Sequence, residues 1–210
     1  MTRLFLIRHA ENEYTVSGKL AGWIPEVHLN EAGKVQAEIL SDYFKSVDIH
    51  HIYSSPLVRA LETARPIAAA HDIRVVRCNS IAEVRYGKWQ GKSLKVLRRQ
   101  KLWDQIQRKP SICSFPDGES IMSVQNRAVE VVKESSDRHT NECVLLVSHA
   151  DVIKMILAYY LGLALDLYQR LVINTASISE ILISKNDVRI VSMNVTTHPV
   201  SLGGKSSSAY

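Results

Sequence analysis

Short apolar runs alternating with amphipathic stretches predict an α/β fold, in which helices are layered on a mixed sheet. Two further features support this. Cys143–Val147 is apolar throughout, as expected of a strand buried on both faces. Several apolar runs also end abruptly in charged or small polar clusters, as strands do where they feed loops at a sheet edge.

Leu4–Ile7 reads as the first strand. Residues 30–46 read as a helix, with Asn30 as N-cap and Val35, Ile39, Leu40, Tyr43 and Phe44 at helical spacing. Ile49–Tyr53 is the second strand, and Pro56–His71 a helix with its proline in the first turn. Ile73–Arg77 is a β-branched third strand. Helices are expected over 93–107 and 119–138, separated by the loop from Pro110 to Gly118. Cys143–Val147 is followed by a helix over Asp151–Leu161. Beyond it Leu171–Ile173, Ser177–Ile183 and Val188–Val195 alternate like strands, with Lys185-Asn186-Asp187 as a turn. No linker divides the chain, so a single domain is expected over 1–200. The Gly/Ser-rich stretch 201–210 is expected to be a disordered tail.

Composition removes several classes of function. At 46% hydrophobic and 22% charged residues the chain is ordinary for a globular protein, and 210 residues suffice for a sizeable core. No apolar run approaches the roughly 20 residues of a membrane helix. The N-terminal apolar run is too short for a leader and is cut off by Arg8-His9, so the protein is expected to be cytoplasmic. Cys78, Cys113 and Cys143 are widely spaced and form neither a disulfide framework nor a zinc pattern. The net charge of +5 gathers partly in Lys88–Lys109, read as an amphipathic helix with a solvated basic face. No nucleic-acid motif accompanies it, so no nucleic-acid partner is expected.

Three strands share one design. Leu4-Phe5-Leu6-Ile7 runs into Arg8-His9, Ile52-Tyr53 into Ser54-Ser55-Pro56-Leu57-Val58-Arg59, and Val144-Leu145-Leu146-Val147 into Ser148-His149. In open α/β sheets ligands bind outside the carboxyl ends of the strands. If these three strands are parallel neighbours, Arg8, His9, Arg59 and His149 converge on one pocket. Two guanidinium groups and two imidazoles suit a dianion such as phosphate.

Leu6-Ile7-Arg8-His9-Ala10-Glu11 resembles the "RHG" signature of the histidine phosphatase superfamily, which includes cofactor-dependent phosphoglycerate mutases. Ser54–Ala64, Ala82–Gly91, Phe115-Pro116-Asp117-Gly118-Glu119-Ser120 and Val147-Ser148-His149-Ala150 resemble its further motifs in order. The resemblance runs from Arg3 to about Ile183. It implies a three-layer α/β/α sandwich with a mostly parallel mixed sheet, phosphoglycerate mutase-like, and a small phosphorylated substrate. It further implies His9 as nucleophile, with Arg8, Arg59 and His149 clamping the phosphate, and Glu83 as proton donor. Thr15, Ala21 and Gly22 match pocket-lining positions, and Ala150 offers a backbone N–H. No metal and no cofactor are expected, and a homodimer is common among such proteins. Ala10, Thr15 and Ala150 depart from the usual glycine, asparagine and glycine, and none of them removes a catalytic group.

The resemblance leaves the reaction open between hydrolysis and mutase transfer. A short interval to Phe115-Pro116 and a Gly91-Lys92-Ser93-Leu94 segment that departs from the mutases' lysine-bearing pattern favour a phosphatase. Arg85-Tyr86 keeps a mutase flavour, and the segments Ala150–Lys154 and Leu165–Arg170 resemble a bacterial "probable phosphomutase" subgroup. A non-catalytic phospho-ligand module is the alternative from another class, and such a module would need neither His9 nor Glu83.

Overall fold

The computed structural model describes residues 1–197, so the stretch 201–210 lies outside the described residues. Thr2–Arg8 (β1), His51–Ser54 (β2), Val75–Arg77 (β3), Cys143–Ser148 (β4), Ile178–Ile183 (β5) and Val188–Val195 (β6) form one sheet in the order β3-β2-β4-β1-β5-β6. The first four strands run parallel. β5 is antiparallel to β1, and β6 is antiparallel to β5.

Side chains on a strand alternate between faces, and the core divides accordingly. Leu4, Leu6, Val144 and Leu146 face one layer of helices, formed chiefly by Ile121–Arg138 (α6) and Ala150–Tyr160 (α7). Phe5, Ile7, Leu145 and Val147 face the other, formed by Glu31–Phe44 (α2) and Val58–Ala70 (α3). The result is an α/β/α sandwich with every residue of β4 buried. Cutting one of these central leucines back to alanine costs about 2–5 kcal/mol.

Asn30 caps α2 as expected, its Oδ1 accepting from the Gly33 N–H at 2.8 Å. Its Nδ2 also donates to Glu11 Oε1, which ties the helix to the loop after β1. Gly33 packs against that loop so closely that a Cβ would lie 2.0 Å from the Glu11 carbonyl oxygen. The buried face of α2 carries Gln36, Ala37, Leu40 and Phe44, whereas Val35 and Tyr43 point outward.

The structure corrects the expected elements in several places. Leu171–Ile173 is not a strand; the Ile173 carbonyl instead accepts a hydrogen bond from Arg8 Nη1 at 2.6 Å. Pro56 precedes α3, whose N-cap is Leu57. The helix expected over 93–107 is two, Leu94–Leu97 (α4) and Lys101–Arg108 (α5). Leu97 and Ile106 are both core residues, yet nine residues apart they would sit on opposite sides of one continuous helix, so the chain breaks between them. The basic stretch 88–109 is therefore several short pieces. A short helix after the first strand, Glu13–Ser17 (α1), was not anticipated.

Candidate active site

Because β4 lies between β2 and β1, the carboxyl ends of all three strands meet, and the residues leaving them share one pocket of about 90 Å³. Arg8, His9, Thr15, Ala21, Arg59, Glu83 and Ala150 line it. His149 and Gly22 stand behind this lining. The Gly22 carbonyl accepts from Arg59 Nη2 at 2.8 Å, so its part is to aim the guanidinium. Thr15 closes a capping box with Asn12, its hydroxyl donating to the Asn12 carbonyl at 2.7 Å and accepting the Asn12 N–H at 3.0 Å.

His9 is buried, and its Nδ1 lies 2.8 Å from the Ala10 carbonyl oxygen. A carbonyl only accepts, so Nδ1 carries the hydrogen and Nε2 keeps its lone pair. The Asn12 amide nitrogen also lies near Nδ1, at 3.5 Å, but the shorter contact decides the tautomer. The ring of His149 lies 5.1 Å from that of His9. Its Nε2 is 2.8 Å from Ser55 Oγ and its Nδ1 3.4 Å from Arg59 Nη2. Burial holds both imidazoles well below the usual histidine pKa, and Arg59 and Arg8 push in the same direction. Both rings are therefore neutral near pH 7.

Glu83 is pushed up to about 7, first by burial and then by the neighbouring Asp151 carboxylate, against the pull of Arg59 and Arg8. Its Oε2 stands 3.6 Å from His149 Nδ1, too far for a hydrogen bond. Several contacts fix its backbone. Arg127 donates to the carbonyls of Ser80, Ala82 and Glu83 and forks onto Glu119, while Trp23 Nε1 donates to the Glu83 carbonyl at 2.7 Å. Glu119 in turn accepts the Arg85 N–H at 2.8 Å. Gly87 completes this clamp. Its φ is +52°, and a Cβ would fall 2.1 Å from the Pro116 carbonyl oxygen.

Among the described residues, Arg8 Nε, Arg59 Nε and Arg59 Nη1 are buried with no hydrogen-bond partner. Leaving such donors unpaired costs about 1–3 kcal/mol each, more for charged groups. Donors left open in a cleft beside two neutral imidazoles are a place prepared for an oxyanion. The first turn of α7 adds to it, since its N-cap His149 makes no side-chain capping bond and its N1 residue Ala150 lines the pocket.

The family model described as histidine phosphatase superfamily (branch 1) matches residues 4–196. The chain belongs to that superfamily. Phosphoserine phosphatase 1 of Hydrogenobacter thermophilus is 32% identical over 201 residues, which are 94% of each chain. A 2,3-bisphosphoglycerate-dependent phosphoglycerate mutase of Thermoplasma acidophilum is 32% identical over 176 residues, 84% of each chain. Among solved structures, Bacillus stearothermophilus YhfR superposes with a TM-score of 0.87 at 28% identity, covering 94% of this chain and 99% of the other. A phosphoserine phosphatase from Entamoeba histolytica, solved with phosphoserine, gives 0.85 at 27% identity, with 92% and 97% covered.

Within this histidine phosphatase, several residues at the site were missed by reading the sequence. Asn12 and Ser55 touch His9 and His149, and each sits in a motif where small polar residues look like turn formers. Arg127 acts only through distant carbonyls, so nothing near it in the sequence marks it. Asp151 and Lys154 lie in a segment noted only for its resemblance to a subgroup, yet both line the pocket. No helix among the described residues is long and apolar enough to cross a membrane.

Proposed function

We propose that this protein is a phosphomonoesterase that carries the phosphoryl group of a small phosphorylated metabolite on His9 before releasing it to water, without a metal ion. The observation that carries the reading is the set of unpaired buried guanidinium N–H groups beside the Nε2 lone pair of His9. In the first step Nε2 attacks phosphorus, the bond from phosphorus to the leaving oxygen breaks, and protonated Glu83 gives that oxygen its proton. In the second, the Glu83 carboxylate takes a proton from water, the oxygen attacks phosphorus, and the N–P bond breaks to return neutral His9. Phosphoryl transfer has a loose transition state, so fixed charge does most of the work. Arg8 and Arg59 supply it, with His149 and the Ala150 N–H completing the clamp.

The pKa of Glu83 supports its role. An acid near 7 is about half protonated at neutral pH, so it can donate in the first step and is basic enough to serve the second. Free Cys78, Cys113 and Cys143 fit a cytoplasmic enzyme. The similarity to a Thermoplasma mutase supports a second reading, in which a substrate hydroxyl replaces water.

Hydrolysis of p-nitrophenyl phosphate in EDTA, wild type beside His9→Ala, tests the reading. Activity that survives EDTA and vanishes in the variant is expected. Equal hydrolysis by His9→Ala would sink the mechanism. Transfer of phosphate to a phosphoglycerate in place of water would establish the mutase reading.

A further inference from the structure

We propose that Asp151 and Lys154 form a charged subsite for the leaving group, selecting phosphomonoesters that carry both an ammonium and a carboxylate, as a phosphorylated amino acid does. The inference rests on the phosphatase reading above and concerns which esters that site prefers.

The two residues stand on the first turn of α7, a helix whose other inward positions, Val152, Ile153, Met155, Ile156 and Leu157, are fully buried and apolar. A charged pair is expensive in such a place. Removing two charges from water is repaid only where geometry is excellent and the remaining hydrogen-bonding capacity is met. Here neither condition holds. Lys154 Nζ lies 3.6 Å from Asp151 Oδ1, well beyond the roughly 2.7–2.9 Å of a charge-assisted hydrogen bond. Among the described residues its one hydrogen bond goes to Gln169 Oε1 at 3.2 Å, although an ammonium has three N–H groups. Among them, too, Asp151 accepts one, from the Tyr86 hydroxyl at 2.9 Å, although a carboxylate can accept about four.

Both side chains line the same pocket as His9 and the two arginines. Lys154 is only 4% exposed, so it is not a surface cation that happens to lie near. Tyr86 and Gln169 hold the pair from behind, and the Tyr168 hydroxyl in turn steadies Gln169 at 2.7 Å. The loose pair is thus a fixed acceptor beside a fixed donor, with unmet capacity on each. An amino-acid head group is the matching object: its ammonium meets Asp151, its carboxylate meets Lys154, and the two dipoles lie head to tail. The leaving oxygen would then lie beside Glu83, whose protonation Asp151 already favours.

The test is kcat/KM on four esters, each enzyme measured at its own pH optimum. O-phosphoserine carries both charged groups, phosphoethanolamine the ammonium, 3-phosphoglycerate the carboxylate, and p-nitrophenyl phosphate neither. Wild type is expected to prefer phosphoserine to phosphoethanolamine and to 3-phosphoglycerate by tenfold or more. Asp151→Asn, which keeps an acceptor for Tyr86, should cut phosphoserine and phosphoethanolamine at least tenfold relative to 3-phosphoglycerate. Lys154→Met should cut phosphoserine and 3-phosphoglycerate by a similar factor relative to phosphoethanolamine. A flat wild-type profile with active p-nitrophenyl phosphate hydrolysis would overturn the subsite and leave the phosphatase reading standing. Variants that lower all four esters by one common factor would overturn it too, since a purely structural pair has no preference among them. Should a variant fail to fold, the wild-type ratios decide alone. Wild type inactive on all four esters between pH 5 and 8 overturns both readings.

Discussion

Two histidine pairs stand at opposite ends of this sheet. At the carboxyl ends of β1 and β4, His9 and His149 lie with ring centroids 5.1 Å apart, fully enclosed among guanidinium groups. At the amino ends of β2 and β4, His51 and His139 lie 3.8 Å apart, His51 partly exposed and His139 mostly covered, with both rings hydrogen-bonded to Glu142 at 2.9 and 3.1 Å. The second cluster has a carboxylate to answer its imidazoles, and the Tyr53 hydroxyl answers the remaining His139 nitrogen at 2.8 Å. Three of its four ring nitrogens are thus answered from within. The first has donors with no partner among the described residues, and its neighbouring carboxyl, Glu83, is pushed up to about 7 by burial. What separates a binding site from a structural cluster on one sheet is therefore unmet demand, since both contain two histidines and a glutamate.

The largest expected effect breaks the comparison outright. His9→Ala should lower kcat on the order of 10⁴-fold or more, because the proposed nucleophile has no substitute nearby. His51→Ala should change kcat/KM less than twofold in the same assay. Comparable losses in the two would mean that turnover does not run through the carboxyl-end pair. Next, Arg59→Met should cost about 10²–10³ in kcat, the usual loss when a preorganised charge donor is removed. Arg59→Lys should recover little, because an ammonium cannot reach Gly22 and the phosphate with one planar fork. A smaller effect concerns pH. With Glu83 near 7, kcat/KM should fall about tenfold per unit well above that pH, as the acid form is lost. Glu83→Gln should be slower and should flatten that limb; a limb that persists in the variant would assign it to another group.

The carboxyl-end cluster was largely legible because its signals are local. Arg8, His9, Arg59 and His149 each follow a strand within a few residues, so a strand pattern that stops at Arg8-His9 or Ser148-His149 already places them, whereas Glu83 came only from the family resemblance. That β4 slots between β2 and β1 has no local signature, and convergence had to be assumed until the strand order was known. Arg127 was illegible for the same reason, since its partners at Ser80, Ala82 and Glu83 lie more than forty positions away. The misread strand at Leu171–Ile173 shows the opposite error. An apolar triplet satisfies the strand pattern, but here the Ile173 carbonyl serves Arg8 instead of a ladder. The break between Leu97 and Ile106 was within reach of helical arithmetic alone, had both been recognised as core.

The smallest effect separates the two clusters by stability in acid. His9 and His149 titrate well below 6.5 in the folded protein, so below that pH the unfolded chain binds protons that the folded one refuses. Stability is therefore lost as pH falls below the ordinary histidine range. Glu83 works in the other direction. Its folded pKa of about 7 exceeds the ordinary 4.5, so between these values the folded state holds the extra proton and stability rises as pH falls. With two histidines set against one carboxyl, the three contributions together leave stability falling as pH drops below 6.5. Glu83→Gln should steepen that loss, and His149→Gln should lessen it. Denaturant unfolding across that range reads both slopes. His51→Gln should leave the slope almost unchanged, because solvent screens its half-exposed cluster. A His51→Gln slope that falls as far as that of His149→Gln would show that the amino-end pair carries the acid lability, and that burial is not what distinguishes the two.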